Sequence, residues 1–112
     1  MKIKTSELTG AALDWAVMTC EGYVQPQPIE WILGGHFKPS TDWSQGGSII
    51  DRERISVEYT GNAGRSWFAK PPGNPTRKRN QMKDGPTPLI AAMRCYVASK
   101  LGDTVEIPDE LC

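Results

Sequence analysis

Nine residues, Pro39-Ser-Thr-Asp-Trp-Ser-Gln-Gly-Gly47, set one tryptophan among hydroxyl, amide and carboxylate groups and end in a glycine pair. A hydrophobic core has no use for that composition, whereas a loop that folds back on itself and presents donors, acceptors and one aromatic face uses all of it. Asp42 and Ser44 can bond to backbone amides and shape the turn. Trp43 is then left to stack on a flat group, and Gln45, with Thr41 and Gly46 beside it, to recognise an amide or a base edge. The other use of Trp43 is as a plug in the core. Two further features can complete a binding site. Gly85-Pro-Thr87 precedes a helix start whose free amides and positive dipole end favour an anion, unless Thr87 is simply a cap. Arg94 falls inside the apolar arc of the same helix, where it must snorkel, pair with an acid such as Asp14 or Asp42, or meet an anionic ligand, because an unpaired buried guanidinium costs several kcal/mol.

Catalytic chemistry has less support. The one histidine, His36, stands between Gly35 and Phe37, and no serine or cysteine lies in a nucleophile motif. Asp42 and Asp51 are the nearest approach to a carboxylate pair, but acids separated by a glycine turn are common in many domains. Gly34-Gly35 and Gly46-Gly47 lack the partner residues of a phosphate loop, and neither a dinucleotide fingerprint nor metal-ligand spacing is present. The residues point to a protein that is not an enzyme and that uses no cofactor or metal.

The 112 residues suit a single domain spanning 1–112 with a modest core. Thirteen basic residues balance thirteen acidic ones, so the whole-molecule field does not draw the chain onto duplex nucleic acid. A local patch, Arg65, Lys70, Arg77, Lys78, Arg79 and Lys83 with Trp67 and Phe68, has the composition of a single-strand groove or of a solvated loop. The opening residues lack the apolar run of a signal peptide, and no stretch approaches the roughly 20 apolar residues of a membrane span, so a cytosolic protein is expected. Cys20, Cys95 and Cys112 are odd in number and show no CxxC spacing; Cys20 and Cys95 read as buried, reduced thiols.

Several elements must position these residues. Lys2-Ile-Lys-Thr5 alternates like a short strand, and Thr5 or Ser6 can cap a helix reaching about Cys20, ended by Gly22. On a wheel of about 100° per residue, Leu8, Ala11, Ala12, Leu13, Trp15, Ala16, Val17 and Met18 nearly fill the circle, with Glu7 and Asp14 as the polar edge. A helix so apolar is sandwiched in a fold or covered by another subunit, and a homo-oligomer is expected. Residues 23–48 read as irregular, with Gln25-Pro-Gln-Pro28 resisting regular structure and Ile29–Leu33 as a short strand or turn. Ser48–Arg54 reads as a brief helix capped by Gly47 or Ser48. Ile55–Tyr59 and Ser66–Lys70 flank the turn residues Gly61–Gly64 as a hairpin. Residues 70–88 read as a proline-rich loop. Thr87 then caps a helix from Pro88 to Leu101 that stops at Gly102, and Thr104–Ile107 reads as an edge strand. The sum is an α+β fold: two apolar helices packed with a small antiparallel sheet, and long irregular loops.

Three ordered motifs carry a family resemblance: Leu8-Thr-Gly-Ala-Ala-Leu-Asp-Trp-Ala-Val17; the loop from Pro39 to Gly47 with Ile49-Ile-Asp-Arg-Glu53; and Thr87-Pro-Leu-Ile-Ala-Ala-Met-Arg-Cys-Tyr-Val97. Together they resemble the NinX-like family of small proteins from temperate tailed phages and prophages; Tyr59 to Lys83 carries none of the resemblance. The resemblance implies an accessory phage protein acting in the host cell cytoplasm, in host takeover or evasion of host defences. Thr41 to Gly46, Arg65, Trp67, Thr87 and Arg94 then compose a site for a nucleotide-like small molecule, sequestered as a counter-defence measure. Binding to a host or phage protein is the alternative, and single-stranded nucleic acid a third. The polar loop also has a short, low-specificity likeness to the Pro-Ser and Asp motif of one family of phage proteins that sequester nucleotide messengers.

Overall fold

The last long helix organises the chain. Thr87 accepts the Ile90 amide on its hydroxyl at 3.1 Å and Pro88 occupies the first turn, so the helix Pro88–Leu101 begins where a cap and a fixed φ place it. It stops at Gly102, whose φ of 87° is open to glycine. In between, Leu89, Ala91, Ala92, Met93, Cys95, Tyr96, Val97 and Ala98 are all buried, so the helix is covered on nearly every side. In the computed structural model, which describes residues 1–22, 29–63, 65–73 and 78–112, most other elements pack on it.

In chain order, β1 (Lys2–Lys4) pairs antiparallel with β5 (Thr104–Glu106), Ile3 facing Val105. The first helix, α1, spans Gly10–Cys20 and starts later than expected. Residues Thr5–Glu7 instead form a separate 3₁₀ turn. Thr5 is buried, its amide donating to Asp103 O at 2.7 Å and its hydroxyl to Gly102 O at 2.6 Å. It therefore fastens β1 to the end of the last helix and caps nothing. α1 buries Ala12, Leu13, Asp14, Ala16, Val17 and Met18 and packs against the last helix and α2 (Ile29–Leu33). One chain thus already covers much of the apolar circumference from which self-association is expected.

Ile29–Leu33 is helical where a strand or turn was expected; with Ile29 and Ile32 three apart, a helix turns both to the core. Gln25 to Pro28 lie outside the described residues. The largest departure is α3, Trp43–Glu53. It starts five residues before Ser48 and takes in the glycine pair, because Asp42 accepts the Ser44 amide at 2.9 Å and supplies the cap. Gly46 is needed for packing: a Cβ there would sit 2.3 Å from Pro39 O and 2.6 Å from Leu89 Cδ2. The helix-propensity cost of two glycines, about 1 kcal/mol each, is offset by the close approach of α3 to α4, the Pro88–Leu101 helix.

The hairpin forms as expected, β2 (Ser56–Tyr59) against β3 (Trp67–Lys70), with Tyr59 opposite Trp67; Gly64 of its turn lies outside the described residues. Residues 70–88 are not all loop. Arg79–Gln81 make a 3₁₀ turn, and β4 (Lys83–Gly85) adds a third strand beside β3. Lys-Asp-Gly has no apolar alternation, so pairing to β3 and packing on α4, and not side-chain pattern, create that strand. The result is α+β: the described residues form four helices, a two-stranded sheet of the terminal strands and a three-stranded sheet β2-β3-β4.

Asp14 joins α1 to the turn before α3. It is 5% exposed, and its carboxylate accepts the Ser40 amide at 2.9 Å. Burial raises its pKa above the ordinary carboxylate value and the Ser40 amide offsets part of that rise. The folded state therefore holds this proton more tightly than the unfolded chain. Its contribution is most favourable below pH 3.8 and declines as pH rises toward the higher folded pKa.

Two outcomes follow in chemical denaturation. Gly46→Ala destabilises by about 1–3 kcal/mol through the clash with Pro39 and Leu89, whereas Gly47→Ala, with Trp43 Cε3 at 3.7 Å, is neutral or stabilising by up to about 1 kcal/mol. Asp14→Asn keeps an acceptor for Ser40 and removes the pH-dependent loss above pH 3.8, while Asp14→Ala leaves the amide unmet and costs about 1–2 kcal/mol.

Candidate functional site

A cleft of about 760 Å³ lies between α2 and α3. On α3 the residues Gln45, Ser48, Ile49 and Arg52 recur at helical spacing and form one wall. Facing them are Glu30 and Trp31 of α2 and the turn that carries His36, Phe37 and Pro39, with Glu21 at the end of α1. Trp31 is 47% exposed. The turn holds because His36 N and Phe37 N both donate to Trp31 O, at 2.8 and 3.1 Å. Gln45 closes it from the other side, accepting from Lys38 N at 2.9 Å and donating to His36 O at 3.2 Å.

A charged cluster forms part of the lining. Arg52 forks onto Glu21, Nη1 to Oε1 at 3.1 Å and Nη2 to Oε2 at 2.6 Å, and its Nε donates to Glu53 at 2.9 Å. The Tyr96 hydroxyl donates to Glu21 Oε2 at 2.6 Å, and the guanidinium lies 5.8 Å from the Tyr96 ring centre. Burial raises the Glu21 pKa, but the hydrogen bonds from Arg52 and Tyr96 outweigh it and hold the carboxyl below its usual range. Burial first, then the bond to Glu21, pushes the Tyr96 phenol upward. The cluster is a brace joining α1, α3 and α4, and it presents the cleft with an arginine already engaged.

The residues expected to compose one site are divided among several places. Thr41, Trp43 and Thr87 do meet, in a shallow pocket of about 210 Å³ with Ser40 and Leu89. Trp43 is 57% exposed, so it is not a core plug. Asp42, Ser44 and Gln45 mostly satisfy one another and the backbone: the Ser44 hydroxyl donates to Asp42 at 2.6 Å, which holds that carboxyl below its ordinary value. Gly46 is buried and serves packing. Arg94 reaches neither an acid side chain nor that pocket; it donates to Leu8 O at 2.7 Å and Asp84 O at 2.9 Å. Two backbone carbonyls thus compensate a guanidinium whose pKa burial lowers and the Asp84 charge partly restores. Arg65 and Trp67 sit on the hairpin, Arg65 3.9 Å from Asp84 and Trp67 edge-on to Tyr59 at 5.2 Å.

The basic patch is largely matched with partners. Lys70 pairs with Glu58, Lys83 lies 3.7 Å from Asp103, and Lys78 donates to Pro72 O at 2.8 Å; Arg77 lies outside the described residues. Asp42 caps α3 and Asp51 lies in its last turn, roughly 13.5 Å along the axis at about 1.5 Å per residue, too far to share a proton. Cys95 is buried and Cys20 partly so, burial pushing each thiol up to about 12, while Cys112 is exposed. Among the described residues no helix is long and apolar enough to cross a membrane.

Sequence reasoning missed Trp31, Phe37 and the Glu21–Arg52 brace. Reading Ile29–Leu33 as a helix would have set Ile29 and Ile32 inward and left Glu30 and Trp31 outside, which is the one signal available for this wall. For the brace, the folded Glu21 pKa lies below 4.5, so its contribution is present above that pH and is lost as pH falls through the folded value. Glu21→Gln removes this acid sensitivity in pH-dependent unfolding. Because Arg52 is half exposed, the loss at neutral pH is held to about 1 kcal/mol.

No curated protein matches the chain. The profile of the family described as Bacteriophage P22, NinX matches residues 4–100, running through the hairpin and the segment to Lys83 as well as the three motifs. The chain therefore belongs to the NinX family of phage proteins.

Proposed function

We propose that this phage accessory protein acts in the host cytoplasm as a non-catalytic binding protein that sequesters a nucleotide-derived small molecule, and that the molecule sits in the α2–α3 cleft. The observation that carries the reading is the cleft itself. Its volume of about 760 Å³ lies within the usual range of roughly 300–1,000 Å³ for ligand pockets, and aromatic and apolar walls with a few polar groups are the usual lining. Trp31 and Phe37 offer flat faces, and His36, Gln45, Ser48 and Glu30 offer polar edges. The site expected from the sequence moves accordingly: Trp31 takes the stacking role first given to Trp43, and Gln45 remains on the wall. Phage origin supports a counter-defence use.

A second reading is favoured by a separate observation. Trp31, Leu33 and Trp43 are 47, 63 and 57% exposed, and large apolar side chains held in water suit a protein partner or a second copy of this chain.

To test the first reading, the protein is incubated with lysate from cells making immune nucleotide signals, washed, and heated to release what it holds. A ligand present at about 100 times its Kd raises the melting temperature by on the order of 10 °C, and Trp31→Ala weakens binding by roughly tenfold or more. Recovery of no small molecule, with no shift from a cyclic-dinucleotide and ADP-ribose-derived panel, defeats the reading. Under the second, Leu33→Glu with Trp43→Glu abolishes partner capture or dimer formation; light scattering at 12.4 kDa with no partner captured removes it.

A further inference from the structure

The charge lining the cleft narrows what it can hold. Among the described lining residues Arg52 carries the one permanent positive charge, and that guanidinium is directed at Glu21, Glu53 and the Tyr96 hydroxyl. Two carboxylates line the same walls, Glu21 and Glu30. Arg52 against Glu21 and Glu30 leaves the permanent and carboxylate charges of the described lining at a formal −1. A phosphoryl group entering here meets like charge and an arginine whose fork is already closed on a carboxylate, and freeing that arginine breaks the brace between α1 and α3. A flat nitrogen heterocycle bearing an amino group meets the opposite conditions. Trp31 and Phe37 supply faces for stacking, and an amino group beside a ring nitrogen donates to a carboxylate such as Glu30, as carboxylates accept from amino groups on nucleobases.

We propose that the α2–α3 cleft recognises the amino-bearing base or nucleoside part of its ligand and excludes phosphoryl groups, which remain in solvent or are absent. This rests on the cleft being the ligand site. It differs from the expectation drawn from sequence, in which an anion sat at the Thr87 helix end beside Arg94, because Arg94 is held by two carbonyls and Thr87 faces a different pocket.

The test is calorimetric titration of the full chain with adenosine, guanosine and cytidine and with the 5′-monophosphate of each. At least one nucleoside binds, and its monophosphate binds at least about fivefold more weakly. Glu30→Lys lies on an exposed side chain of α2, so the fold is kept, as circular dichroism checks, and the variant narrows or inverts that ratio by at least about threefold; Glu30→Gln shifts it in the same direction by less. A monophosphate that binds as tightly as its nucleoside, or binding confined to phosphorylated members, overturns the exclusion of phosphate while the cleft remains the site, provided Trp31→Ala weakens it by roughly tenfold or more. Binding that Trp31→Ala leaves intact, or no binding by any of the six, overturns the site together with the inference.

Discussion

Burial of α4 on nearly all sides is the constraint on which the rest of this structure depends. Eight of its side chains are removed from water, and each large one contributes on the order of 1.5–3 kcal/mol when fully buried. No single neighbour can cover such a helix. The sheet β2-β3-β4, α1, α3 and the terminal strand β5 must each take part of its circumference, so their positions relative to one another follow from their common contact with α4. Arg94 shows the same constraint in polar form. A guanidinium carried inside the apolar arc has to be compensated, and Leu8 O and Asp84 O do so from two segments far apart in sequence.

Around that centre, short polar links set the angles between elements. Thr5 joins β1 to the end of α4, Asp14 joins α1 to the turn at Ser40, and Arg52 joins α3 to α1 and α4. Gly46 works by absence, letting α3 lie close to Pro39 and Leu89. The cleft is a by-product of these links. It lies between α2 and the Gln45–Arg52 face of α3, and the Glu21–Arg52 brace is part of its lining.

This division explains how a composition chosen for its unusual chemistry came to play mainly a structural part. Asp42, Ser44 and Gln45 stand out in sequence because they are polar and clustered, yet each finds a partner within the same turn. Trp31 stands out less, one aromatic in an apolar pentapeptide, yet it is 47% exposed and lines the α2–α3 cleft. Local polarity marks turns as readily as sites, and burial alone tells them apart.

Elements whose signals lie within a few residues were legible from the chain: the Thr87-Pro88 start and Gly102 stop of α4, the alternation of the β2–β3 hairpin, the edge strand β5, and the α+β class. Family membership was legible too, in three ordered motifs. The strand Lys83–Gly85 and the partners of Arg94 were not, because each is decided by a contact with a segment distant in sequence; the helical state of Trp43–Gly47 has a local cap in Asp42 but two glycines against it, and the close packing of Gly46 on Leu89 outweighs that propensity. For the same reason the sequence by itself determined which residues could do chemistry here, and only the tertiary structure decided which of them stand together: proximity across a cleft is a property of packing, and no spacing along the chain encodes it.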